Sequence, residues 1–165
     1  MDSLPSISIS EQLLCDIEAQ LQRISVERGY LTNAGARVFR AREAIEPADL
    51  PCLVLWDAGE SAEKAAGNSS SMTIRLSIVI EAHVGANLAS TGRMLGAIKA
   101  DVKRAVLRWA KPRTLGWAQG GGEQKPITYV GTESQPRAGA GISEVAALTF
   151  TATFTEGYGD PSQST

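Results

Sequence analysis

Met72-Thr73-Ile74-Arg75-Leu76-Ser77-Ile78-Val79-Ile80-Glu81-Ala82-His83-Val84 is the stretch that decides the fold. Met72, Ile74, Leu76, Ile78, Ile80, Ala82 and Val84 alternate with Thr73, Arg75, Ser77, Val79, Glu81 and His83. Side chains of an extended chain point to opposite faces in turn, so this pattern predicts a strand with one buried face. At about 3.3 Å per residue the strand is roughly 40 Å long, which predicts that it projects past its sheet as a hairpin arm. His83 falls on the exposed phase and reads as a surface or interface residue.

Towards the C-terminus, residues 127–133 and 144–155 predict two further strands. In the second, Ala146, Leu148, Phe150, Ala152 and Phe154 alternate with Ala147, Thr149, Thr151, Thr153 and Thr155. Residues 135–141 supply the turn between them, and 115–125, with Gly120-Gly121-Gly122, read as a flexible connection. On the other side of the long strand, 58–71 hold no large apolar side chain before Ser71 and predict an extended mobile loop. Two short strands, 36–42 and 52–57, are expected before it, separated by a loop that Pro47 and Pro51 enforce.

Two helices complete the pattern. Ser8 and Glu11 have capping-box spacing, and Leu13, Ile17, Leu21 and Ile24 then recur at helical steps, predicting a helix that ends near Gly29. The second helix, 89–109, carries Leu95, Ile98, Val102, Val106 and Trp109 on one stripe, with Met94 and Ala105 at its margin. The fold class implied is α+β: a mostly antiparallel sheet with both helices on one face and a long strand as an arm. A single domain over 1–161 is expected, with 162–165 disordered.

Composition narrows the chemistry. The chain has 165 residues, 16 Lys and Arg against 18 Asp and Glu, and a net charge of -2. Two cysteines and one histidine provide no cluster for zinc and no disulfide scaffold. The first fifteen residues lack the basic and apolar runs of a secretory peptide, and no apolar run approaches a membrane span, so cytoplasmic synthesis with free thiols is expected. Cys15, Cys52 and His83 lie on separate elements, with nothing local to couple them as nucleophile and base. Gly120-Gly121-Gly122 precedes a strand, whereas a phosphate cradle needs a helix N-terminus after it. Glu43 and Glu46, Glu60 and Glu63, and Glu133, Glu144 and Glu156 read as solvated, with no apolar flank to raise a pKa. No enzyme activity, cofactor, metal or small-molecule substrate is expected.

Charge is segregated instead. Between 89 and 113 stand Arg93, Lys99, Lys103, Arg104, Arg108, Lys111 and Arg113 against one acid, Asp101. A solvated face, a protein contact and a nucleic-acid contact are the three readings of such a helix, and the aromatic platform that would favour nucleic acid is missing.

The order of these segments resembles the tail terminator, or tail completion, proteins of long-tailed bacteriophages. The likeness runs from the first helix through Arg37-Val38-Phe39-Arg40, Asp49-Leu50-Pro51, Leu53-Val54-Leu55-Trp56 and the long strand. It continues through Ile98-Lys99-Ala100-Asp101-Val102-Lys103 and Ile127-Thr128-Tyr129-Val130-Gly131-Thr132-Glu133 to Phe154-Thr155-Glu156-Gly157-Tyr158-Gly159-Asp160-Pro161. The resemblance implies a structural virion protein forming a ring, typically hexameric, at the head-proximal end of the tail. Its partners would be copies of itself, the major tail tube protein and the head-side connector. A neck or tail-tube subunit is the neighbouring reading, and a small nucleic-acid-binding module the more distant one. Residues expected at such interfaces, by exposure on rigid elements or in the C-terminal segments, are Arg75, Glu81 and His83, the basic row Arg93, Lys99, Lys103 and Arg104, then Arg137, Tyr158 and Asp160.

Overall fold

The first helix, α1 (Ile9–Gln22), begins where the sequence places it: the Ser8 hydroxyl accepts a hydrogen bond from the Glu11 amide at 3.2 Å. The Glu11 carboxylate does not return to the cap. It is engaged by Arg40, whose two terminal nitrogens donate to it at 3.3 and 3.1 Å from strand β1 (Val38–Arg40). Glu18 adds a second, longer contact at 3.7 Å, so one guanidinium ties α1 to the sheet edge. Residues 7–63, 71–86, 90–110, 127–135 and 143–157 are described by this computed structural model.

The helix stops before Gly29. The Ile24 carbonyl, which a continuing helix would offer to the Arg28 amide, accepts instead from Gly35 at 3.1 Å. The backbone comes so close there that a Cβ on Gly35 would lie 2.7 Å from the Ile24 oxygen, and closer still to that of Leu21. A separate 3-10 turn, Val26–Arg28, then ends at Gly29, whose φ of 79° suits glycine.

Strand β1 is shorter than expected. Ala41, at φ 48°, leaves the extended region and ends it, and its three residues pair parallel with Leu53–Leu55 of β2 (Cys52–Glu63). The intervening Pro47–Asp49 forms a 3-10 turn closed by Glu46 and Asp49, in keeping with the expected proline loop.

The largest correction concerns 58–71. Residues up to Glu63 continue β2, paired antiparallel with β3 (Ser71–Gly85) past a bulge between Asp57 and Glu60, where Gly59 takes φ 104°. A ladder is made by backbone groups, so a long neighbour extends a strand whose own side chains give no pattern. The remaining part of that expected loop, 64–70, lies outside the described residues, as do the glycine-rich connection and most of the 135–141 turn.

Helix α2 (Thr91–Trp109) follows, then β4 (Ile127–Gln135) and β5 (Ser143–Gly157). The five strands run β1-β2-β3-β5-β4, with β3 in the centre, paired along all 15 of its residues with β5. Ile127, the first residue of β4, stands opposite Ala152, so the far ends of β2, β3 and β5 extend beyond it as a three-stranded arm. One face of the sheet carries Leu53, Leu55, Leu76, Ile78, Ile80, Leu148 and Phe150. These residues form one buried cluster with Leu13, Ile17 and Leu21 of α1 and Leu95, Ile98, Val102 and Val106 of α2. The protein is thus an α+β fold with both helices on the same face of a mostly antiparallel sheet.

The lone acid of α2 belongs to this framework. Asp101 is 1% exposed, and its carboxylate accepts from the Leu31 amide (3.0 Å), the Thr32 amide (2.8 Å) and the Thr32 hydroxyl (2.8 Å), pinning the loop after α1 to α2.

Candidate functional site

The sheet face turned away from the helices displays Ser77, Thr149, Thr151, Thr153 and Thr155, with Val79, Val145 and Ala147 nearer one end. That end is roofed. Phe39 and Val54 are register partners and share this face, Arg42 lies 4.2 Å from the Phe39 ring centre, and an Arg42–Asp49 ion pair of 2.9 Å holds the loop that follows β1. Beneath it Cys52 and Val54 are fully buried. His83, opposite Cys52 in the ladder, is only 6% exposed, which overturns the expectation of a surface histidine. The alternation identified its face correctly; the loop that covers this face has no periodicity to announce it.

At the border of the roof lies a cavity of about 320 Å³ lined by Glu43, Trp56, Glu81, His83, Glu133, Val145 and Ala147. Its geometry follows from register. Glu81 pairs with Ala147, which pairs with Glu133, so the two residues stand in one row two strands apart, their backbones separated by roughly 10 Å at the usual strand spacing. Trp56 pairs with Val79, next but one before Glu81, so its indole N–H reaches diagonally to Glu81 Oε2 at 3.1 Å. His83 Nε2 lies 3.1 Å from the same oxygen. A carboxylate only accepts, so Nε2 donates there, while the buried Nδ1 has no hydrogen-bond partner. Among the described residues Glu43 and Glu133 are exposed and have no basic partner. The set therefore presents negative charge and an indole to an incoming cation. No group of three or more His, Cys, Asp and Glu among the described residues is spaced to hold a metal ion.

Helix α2 does not carry its cations as one row. Lys103 leans towards β4, with its ammonium 5.4 Å from the Tyr129 ring centre. Its neighbour Arg104 turns the other way, donating from Nη1 to the Gly29 carbonyl at 2.6 Å and lying 5.0 Å from the Tyr30 ring centre. Successive helical residues are about 100° apart, which separates them. Arg93 is exposed and Lys99 half-buried, while Arg75 is exposed on the arm between Ser61 and Thr153. Of the ten expected interface residues, only Glu81 and His83 come together in the cavity. Arg137, Tyr158 and Asp160 lie outside the described residues.

A second concavity, a shallower groove of about 640 Å³, opens on the helix layer and is lined by Gln20, Arg23, Arg28, Tyr30, Ala105, Arg108 and Trp109. Sequence reasoning missed this grouping because Arg23 and Arg28, at and after the end of α1, share no periodicity with Arg108 on α2. It also missed Trp56, Glu43 and Glu133 as cavity residues; pairing the 52–57 and 72–84 strands in register would have exposed the first of these.

Burial shifts titratable groups outside the Glu81–His83 pair. Burial, with the Asp49 carboxylate nearby, pushes the Cys52 thiol up to about 11 and leaves it unreactive. Cys15 is exposed, but partial desolvation and its bond to Glu11 raise its pKa as well. Glu156 departs from the expectation of solvated carboxylates: it is 6% exposed, and burial, reinforced by Glu60, raises its carboxyl above the ordinary range. No helix among the described residues is long and apolar enough to cross a membrane. No protein-family model matches the chain, and no curated protein aligns with it significantly.

Proposed function

We propose that this chain is a tail terminator subunit of a long-tailed bacteriophage, a virion protein without enzymatic activity. In this role it forms a ring on the head-proximal end of the tail, stops the polymerisation of the tube protein and presents its outer side to the head-side connector. The observation that carries the reading is the state of the β2 edge. Strand β1 covers only Leu53–Leu55, so among the described residues the rest of β2, out to Glu63, has a ladder neighbour on one side only. A row of unpaired backbone donors and acceptors is a template for another protein chain. The order of elements, which resembles that of the terminator proteins, and the opposite character of the two layers support the same reading, because a ring needs two unlike sides on each subunit.

The test is electron microscopy of particles assembled with and without the protein. Overlong, headless tails in its absence, and a closed ring at the end of each tube in its presence, are the expected results. Normal virions made without it overturn the reading, and so does purified protein that grows by itself into long tubes.

A further inference from the structure

We infer that, in the ring just proposed and therefore resting on that reading, the acidic cavity of one subunit receives the arginine groove of the next, head to tail. Glu43, Glu81 and Glu133 stand around the cavity, and Arg23, Arg28 and Arg108 around the groove. Among the described residues none of these three arginines has a carboxylate partner, just as Glu43 and Glu133 have no cation. Arg104, beside the groove, is different: it is already occupied by the Gly29 carbonyl and Tyr30.

The two concavities cannot meet within one subunit. The cavity lies on the strand positions facing away from the helices, and the groove lies between the ends of α1 and α2, so the sheet separates them. A second copy brings both charges together, and this contact joins unlike patches, the kind that closes into a ring when its rotation permits. Chemistry favours arginine as the inserted group. A planar guanidinium bonds a carboxylate through two parallel N–H groups and stacks on an indole, here Glu133 or Glu43 and Trp56. Glu81 and Glu133 stand two strands apart, and that spacing leaves room for it.

The test uses two charge reversals on the full chain, Glu43→Lys with Glu133→Lys and Arg28→Glu with Arg108→Glu. All four positions are exposed, and unchanged thermal melting confirms that each variant folds. Ring formation, free or on tail tubes, is read by native mass spectrometry and electron microscopy. Each variant alone is expected to weaken self-association by about 100-fold or more. An equimolar mixture of the two is expected to restore rings, since reversed cavity then meets reversed groove and each unaltered surface meets its unaltered complement. Variants that assemble as the wild type does, or a mixture that fails to recover, overturn this contact while leaving the ring itself standing. Rings that persist but no longer seat on tubes assign the cavity to the tube protein and also overturn it. A wild-type chain that forms no ring in either setting removes the functional reading and this contact with it.

Discussion

Asp101 shows how a residue's meaning depends on what faces it. In the sequence it is the one acid in a cationic helix and looks incidental. In the fold its carboxylate satisfies two backbone amides and a hydroxyl contributed from about seventy positions earlier. Removing it leaves those donors desolvated, at about 1–3 kcal/mol for each unsatisfied group. Asp101→Ala is therefore expected to destabilise the protein by about 3 kcal/mol and to lower Tm by about 10 °C in calorimetry, and a change under about 2 °C would show that water replaces the carboxylate there. The same dependence explains His83. Alternation places it on the face opposite the core, while its surroundings there include Glu43 of the loop after β1, whose irregular backbone leaves no period to read. Ser8 was legible because capping is local; Glu11's true partner, Arg40, lies 29 residues away.

Strands β3 and β5 could be read directly, because each encodes a buried and an open face within itself. The extension of β2 could not, since Gly59, Glu60 and Ser61 carry no such code and are ordered by the neighbour they bond. Glu156 marks the same limit. It continues the buried phase of Ala152 and Phe154 into the arm, which puts a carboxylate where an apolar residue is expected. Its raised pKa means that the folded chain holds this proton to higher pH than the unfolded chain does. The stability it contributes is thus full below the ordinary carboxylate range and is lost as pH rises through the raised native value. Glu156→Gln is expected to melt with the wild type at about pH 4 and above it near neutrality; melting curves that stay parallel across that range would show that the carboxyl is solvated.

For the molecule as a whole, the α+β class and the gathering of both helices on one face follow from two apolar stripes and the alternating strands. Strand order does not follow. Nothing in 143–157 announces that it lies beside β3, nor in 38–40 that β1 runs parallel to β2; the first pairing brings Ile78 and Ile80 opposite Phe150 and Leu148 in the core. The order has a measurable result in hydrogen exchange. Amides of Ile78 to Ala82, in a stretch flanked by ladders on both sides, are expected to exchange only through global unfolding, while those of Val38 to Arg40 exchange by local opening, at least about 100-fold faster. Equal protection of the two strands would mean that the edge is held as firmly as the centre.

The central position of β3 also shapes how the protein is made. Its second neighbour begins at Ser143, nearly sixty residues after Gly85. On the ribosome, then, the hairpin of β2 and β3 emerges with one unpaired backbone edge and waits for the final strand to be translated, several seconds at ordinary elongation rates of about 5–20 residues per second. During that interval the nascent chain is a natural client for a holding chaperone, and the yield of native protein depends on how quickly translation ends.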